Sequence, residues 1–339
     1  MEKKALITGI TGQDGSYLTE FLLEKGYKVF GIVQNYKNLG LIEKIKNKIF
    51  LFEGNLLDSE SLNHAIQKIK PDEVYHLAGI SSVGRSWQDP ILTNNVNVMG
   101  TIRLLEALRR FQINSKIFNA SSSEMFGYDD KIIDEASKFD PKNPYAISKC
   151  HAHWTSSVYR KSYKMFICNG IMFNHESPRR GDSFVTKKIA KGVVKIKNGT
   201  QKCLYLGNLD AKRDWGFAPD YVEAMWLMLQ GKKPDDYVIA TGKIHSVREF
   251  LEKMFLLSGI NIKTNKLLGT EEQYIRTDNN ETVVKITKDF FRPIDSPPLI
   301  GNNNKARKIL GWKPRKDFDD IIRIMLDNEY INYKQSIKL

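Results

Sequence analysis

Glycines at positions 9, 12 and 15 fall between an apolar run, Ala5-Leu6-Ile7-Thr8, and a stretch of helical periodicity from Ser16 to Lys25 that Gly26 closes. Three residues without side chains at this spacing let the backbone turn tightly and come close to an anion. The free N–H groups at the start of the following helix meet the anion's charge. Such a trio can also serve as a plain turn. Here a second strand, Lys28 to Val33, completes a strand–helix–strand unit, so Gly9, Thr11, Gly12, Gln13, Asp14 and Gly15 read as a pyrophosphate-binding loop for a dinucleotide.

The pattern continues through the first half. Apolar runs at Ile49 to Phe52, Glu73 to Leu77, Lys116 to Ala120 and Met165 to Ile171 alternate with amphipathic stretches at Leu57 to Lys70, Asn95 to Phe111 and Pro144 to Tyr163. This predicts an α/β protein with a Rossmann-type, doubly wound parallel sheet covered by helices on both faces. After Phe173 the alternation breaks up, with a helix near Phe184 to Lys197 and an irregular region from Lys263 to Thr287. Phe217 to Gln230 and Tyr237 to Ala240 read as a return to the first sheet, and Lys305 to Leu310 as a helix stopped by Gly311 and Pro314. The expected organisation is a dinucleotide-binding domain at 1–173 and 214–245, with a smaller mixed α/β substrate domain at 174–213 and 246–339.

Charge narrows the partners. The 339 residues carry a net charge of +13, but lysines are scattered with acidic residues between them, and no basic stripe interleaved with stacking aromatics suggests nucleic acid. One cluster, Arg179, Arg180, Lys187, Lys188 and Lys191, is dense enough to hold a diphosphate. No apolar run reaches the roughly 18 residues of a membrane span, and Ala5 enters a strand without a signal-peptide pattern, so a cytoplasmic location is expected. Cys150, Cys168 and Cys203 are widely spaced and suggest neither a disulfide framework nor a metal knuckle.

Tyr145 and Lys149 lie four apart on a helix opened by Pro144, which places them on one face. An ammonium beside a phenol lowers the tyrosine pKa, as a base acting on a sugar hydroxyl requires. The preceding strand ends in Ser121-Ser122-Ser123-Glu124. Ser121-x-x-Glu124 also matches a capping box, but Met125-Phe126-Gly127 is a poor helix start, so Glu124 is expected to project from a strand end into the cleft. His151 and His153 point in different directions and His76 reads as structural, while His175 fits either the nucleotide site or packing. After the second strand comes Gln34-Asn35-Tyr36-Lys37, with no carboxylate to repel a 2′-phosphate, which favours NADP over NAD.

With these residues in hand, the chain resembles the extended short-chain dehydrogenase/reductases, and within them the GDP-mannose 4,6-dehydratase family. The resemblance rests on the Leu6–Leu18 loop, Ser121–Glu124, Tyr145 with Lys149, Asn174–Gly181 and Arg213–Gly216. It implies a closed redox cycle. Tyr145 takes the C4 hydroxyl proton as hydride leaves C4, Glu124 abstracts the acidified C5 hydrogen and protonates the departing C6 hydroxyl, and hydride returns to C6. Ser122 would hydrogen-bond the C4 oxygen, and Lys149 would also hold the nicotinamide ribose. Asn55, Leu56, Leu77 and Ala78 complete the expected cofactor set. Asn174, Arg180, Val185, Lys188, Arg213 and Arg292 correspond to GDP contacts, with Asp295 in place of a family glutamate, and Ser82, Arg85 and Ser86 would meet the sugar.

Two departures stand out. Gln34-Asn35 replaces a pair of arginines, and the loop that follows is short, which leaves NADP against NAD, and tetramer against dimer, open for this homo-oligomer. Arg85 stands where the family has a small or apolar residue, suggesting a more hydroxylated sugar such as a GDP-manno-heptose. The rival readings are a GDP-keto-sugar reductase or epimerase of the same fold, and a non-catalytic nucleotide sensor.

Overall fold

The computed structural model describes residues 2–127, 132–291 and 298–337. Seven strands form one parallel sheet in the order Asp236–Ile239, Phe166–Met172, Lys116–Ser122, Glu73–His76, Lys4–Thr8, Lys28–Val33, Phe50–Glu53. Most of these are largely apolar runs in the sequence, because a central parallel strand is covered on both faces, whereas the edge strand Phe50–Glu53 is partly exposed. The chain reverses its direction of travel across the sheet between Lys4–Thr8 and Glu73–His76. At such a point the loops leaving the two strands part, and a crevice opens at their carboxyl ends.

Helices fill both faces. On one, Gln13–Glu24 packs against Ala218–Gln230 through Phe21 and Trp226, whose ring centroids are 5.7 Å apart. On the other, Ser59–Ile69 and Gly100–Arg110 bury Leu62, Ile66, Leu104 and Leu108 against Leu6, Val74 and Ile117. The stretch expected as a helix from Asn95 to Phe111 instead contains a π turn at Asn95–Met99, preceded by the short helices Val83–Gln88 and Pro90–Asn94. The inserted turn rotates Asn97 inward, where it is buried.

A second core lies beyond Phe173. Strands Ile262–Thr264, Gln273–Arg276, Thr282–Ile286 and Leu204–Leu206 form a four-stranded sheet backed by helices Val185–Lys197, Val247–Leu257 and Phe318–Ser336. The segment expected to be irregular, Lys263 to Thr287, therefore supplies an antiparallel meander. Its strands are three to five residues long with polar residues on one face, so their apolar signal is short and easily lost. The Val247 and Phe318 helices both begin with capping boxes, Ser246 with Glu249 and Asp317 with Asp320. Buried Asp214 joins distant loops by accepting from the backbone of Thr241, Gly242 and Gly301.

Candidate active site

The glycine loop turns at the head of the Gln13–Glu24 helix. Gly9 adopts φ +73°, and a Cβ there would stand 2.7 Å from the Ala78 nitrogen; at Gly15 it would stand 2.2 Å from the Gly9 carbonyl oxygen. Neither position can carry a side chain without moving backbone. Gly12 caps the helix, and no side chain among the described residues caps its first N–H groups. Because the first N–H groups of a helix have no partner within it, this end is a cradle into which an anion fits. Thr11, Asn55, Leu56, Leu77 and Ala78 line the same cleft, as do Gln34 and Asn35 at the end next to the Lys28–Val33 strand. These features fit a dinucleotide.

The side chains expected to react form the floor. Asn143 caps the Pro144–Ser162 helix by accepting from the Ala146 N–H at 2.8 Å, and its amide nitrogen donates to Glu124 Oε2 at 3.1 Å. One side chain thus starts the helix that carries Tyr145 and holds the glutamate opposite. Glu124 belongs to a single 3₁₀ turn, Ser123–Met125, rather than to the strand end itself. The capping-box alternative fails because Ser121 is hydrogen-bonded to His153 Nδ1 at 3.0 Å, while the Glu124 N–H donates to Ser122. Ser122 also lies close enough to the Tyr145 phenol to lower it against the effect of burial.

Lys149 corrects an expectation. Its Nζ donates to the Ala120 carbonyl at 2.8 Å and lies 5.9 Å from the Tyr145 ring centroid. Burial pushes the Tyr145 phenol up to about 12 and the Lys149 ammonium down to about 8, so the tyrosine is not lowered. On this buried floor each charged form is disfavoured by desolvation.

The far end of the cleft is built differently. The Val185–Lys197 helix also starts without a side-chain cap. Arg180 reaches over the Phe184 ring at 3.7 Å, with its Nε 3.2 Å from Glu176 Oε2, and Lys188 lies 3.1 Å over the Phe290 ring centroid. These two cations, with Asn174, Val185 and Arg213, line the cleft. Lys187 does not: it turns into the protein to pair with Glu329 and the Pro178 carbonyl, and Lys191 pairs with Asp182 on the surface. Arg179 chelates Glu20. The expected five-residue cluster thus reduces mainly to Arg180 and Lys188.

Ser82 and Arg85 line the wall, with the Ser82 hydroxyl accepting from the Arg85 N–H. Ser86, expected on the sugar, is fully buried. It donates to the Val83 carbonyl and accepts from the Tyr145 N–H, so it supports the tyrosine from behind. Arg292 and Asp295 lie outside the described residues. His76 is buried between Thr8 and Thr101 with its pKa pulled down to about 3 by burial, as a structural histidine should be. Asn97 and Asn143 went unread. Asn97 holds both backbone groups of Ile80 and the Ser148 hydroxyl. Asn143 could have been found, since Asn before Pro is a helix-start signal. The cleft measures about 1410 Å³. A single drug-sized ligand occupies roughly 300–1,000 Å³, so there is room for two.

Known proteins resemble this chain in sequence and in fold. GDP-mannose 4,6 dehydratase 2 of Arabidopsis thaliana is 48% identical over 341 residues, covering 96% of this chain and 87% of its own length. Among solved structures, the UDP-glucose 4-epimerase of Thermus thermophilus complexed with NAD superposes with a TM-score of 0.79 at 26% identity, covering 96% of this chain and 99% of that one. RMD from Pseudomonas aeruginosa complexed with NADPH gives a TM-score of 0.77 at 22% identity, covering 97% of this chain and 99% of that one, a likeness of fold. The profile of the family described as GDP-mannose 4,6 dehydratase matches residues 6–325, and the chain belongs to that family.

Proposed function

We propose that the protein is a GDP-sugar 4,6-dehydratase that converts GDP-mannose to its 4-keto-6-deoxy product. The observation that carries this reading is the Glu124 carboxylate, steadied by Asn143, in the same cleft as Tyr145, Ser122 and Lys149. A reductase or epimerase needs the last three and has no use for the first. A nicotinamide dinucleotide in the glycine loop supplies a reversible hydride acceptor. Ser122 and Tyr145 bind the C4 hydroxyl, and Tyr145 takes its proton, helped by the Lys149 charge. The resulting ketone acidifies the neighbouring C5 hydrogen, which Glu124 removes before it protonates the departing C6 hydroxyl. Water leaves, and the return of the hydride to C6 with a proton to C5 gives the 4-keto-6-deoxy sugar without net oxidation.

NADP is the proposed dinucleotide, with NAD as the alternative, because Gln34 and Asn35 at that end of the cleft carry no negative charge. The division of labour follows the two cores: the seven-stranded side holds the dinucleotide, and the helix start at Val185, with Arg180 and Lys188, holds the GDP diphosphate. Arg85 on the wall supports a second reading in which a GDP-manno-heptose is the preferred sugar. Self-association is proposed through Ile147, Trp154 and Val158, which form an exposed apolar stripe on one helix beside exposed Ile91. No helix among the described residues is long and apolar enough to cross a membrane, and we place the enzyme in the cytoplasm.

Incubation with GDP-mannose and mass spectrometry should show loss of one water. Glu124→Gln should lower that turnover by roughly 10²–10⁴-fold with dinucleotide affinity unchanged; an indifferent variant would favour the reductase. Side-by-side turnover of the mannose and heptose substrates decides between the two sugars.

A further inference from the structure

His175 plays no part in the chemistry above, yet both its ring nitrogens are engaged. Nδ1 lies 2.7 Å from the Phe173 carbonyl oxygen and Nε2 2.8 Å from Asp14 Oδ2. A neutral imidazole has one N–H and one acceptor nitrogen. Both partners here are acceptors, so the arrangement needs two protons: a doubly protonated ring facing a carboxylate, or a neutral ring facing a protonated Asp14.

The surroundings choose between these. Asp14 Oδ1 accepts from the Gln13 amide at 3.0 Å, which favours the carboxylate. The Tyr221 ring stacks on His175 at 4.7 Å, a face that favours a cation. Around the pair, Asp14 comes from the Gln13–Glu24 helix and Tyr221 from Ala218–Gln230, with Arg180 and its partner Glu176 from the strand His175 belongs to and the loop after it. Tyr221 stays neutral, its pKa well above the usual phenol range because it is buried. Burial opposes the His175 charge and Arg180 repels it, but Asp14 outweighs both and raises the imidazole above 6.5; Asp14 is lowered in turn.

We propose that His175 is held as an imidazolium whose charge cancels Asp14 beneath the dinucleotide loop, making it a positioning residue for the cofactor. An uncompensated carboxylate in the first turn of an anion-binding helix would repel the pyrophosphate that the helix end attracts. The same contact fixes the loop to the nucleotide-sugar side, since Gln13 donates to the His175 carbonyl at 3.1 Å and accepts from Ser177 at 2.8 Å. The imidazolium loses its proton as pH rises through its raised pKa, and dinucleotide affinity then falls on the alkaline side.

This rests on the dinucleotide reading, so the test has two arms. In ¹⁵N NMR of the full-length protein without nucleotide, with His175 assigned by its loss in His175→Gln, both ring nitrogens should be protonated at neutral pH and titrate above the free value of about 6.5. One bare nitrogen at neutral pH overturns the proposal whether or not any dinucleotide binds. In NADP⁺ titrations, wild-type affinity should weaken roughly tenfold across that midpoint, and Asp14→Asn, with no charge to cancel, should be flat. An equal slope in both proteins also overturns it. A wild type that binds neither NADP⁺ nor NAD⁺ sinks the dinucleotide reading alone, and the NMR arm still decides the charge of His175.

Discussion

Two of the helix N-termini that line the cleft, at Gly12 and Val185, treat anions in opposite ways. At Gly12 the helix end is bare because side chains do not fit: Gly9 and Gly15 are pressed against backbone, and the carboxylate of the first turn, Asp14, is tied to His175. At Val185 the side chain of Phe184 precedes the helix, and two cations, Arg180 and Lys188, are carried to it. The first end is set for close backbone approach and the second for charge. Binding at the first should therefore respond to shape and little to salt, and binding at the second should do the reverse.

The largest effect should come from closing the first end. Gly15→Ala sets a methyl 2.2 Å from the Gly9 oxygen, which should abolish dinucleotide binding and cost about 1–3 kcal/mol of stability by overpacking. Isothermal titration together with urea unfolding reads both, and retained affinity would mean that the loop geometry does not matter.

On the floor between the two ends, Lys149 tests how dry the cleft is. Its pKa falls from 10.5 in an unfolded chain to about 8 here, so between those values the unfolded state holds more protons. Wild-type stability should therefore climb as pH rises across that window. The penalty for a buried ammonium is fully present below it, up to about 3 kcal/mol. Urea unfolding of wild type and Lys149→Met at stepped pH should show a difference that shrinks on the alkaline side; a constant difference would mean that the ammonium is well solvated.

Lys188→Ala should raise KM for the nucleotide sugar about tenfold, through loss of a charged contact, with dinucleotide affinity unchanged. The salt dependence of KM should diminish in the variant, and an unaltered salt dependence would put the charge elsewhere. Smaller still is Asn143→Ser. A serine keeps the helix cap but gives up the amide that reaches Glu124, so stability should move by less than about 0.5 kcal/mol while kcat falls roughly three- to tenfold.

The parallel sheet could be read because most of its strands are short, largely apolar runs, and in the first half of the chain these alternate with helices. Tyr145, Lys149 and the glycine loop were legible for a related reason: their spacing is local, and a helix or a turn converts spacing directly into geometry. Ser86 and Lys187 were misassigned because residue type does not say which way a side chain turns. Ser86 found the Val83 carbonyl, and Lys187 found Glu329, which is 142 residues away. The four-stranded sheet was missed because its strands are short and one comes from residues 204–206, far from the other three.

Sequence by itself determined the fold class, the glycine turn and the candidate acid–base groups, since each depends on neighbours within one turn or one strand. Only the tertiary structure decided the state those groups are in. The buried floor suppresses the charges of Tyr145 and Lys149, Asn143 joins Glu124 to the tyrosine helix, and Asp14 and His175 meet across 161 residues. Burial and long-range pairing set the energy of a charge, and both are properties of packing.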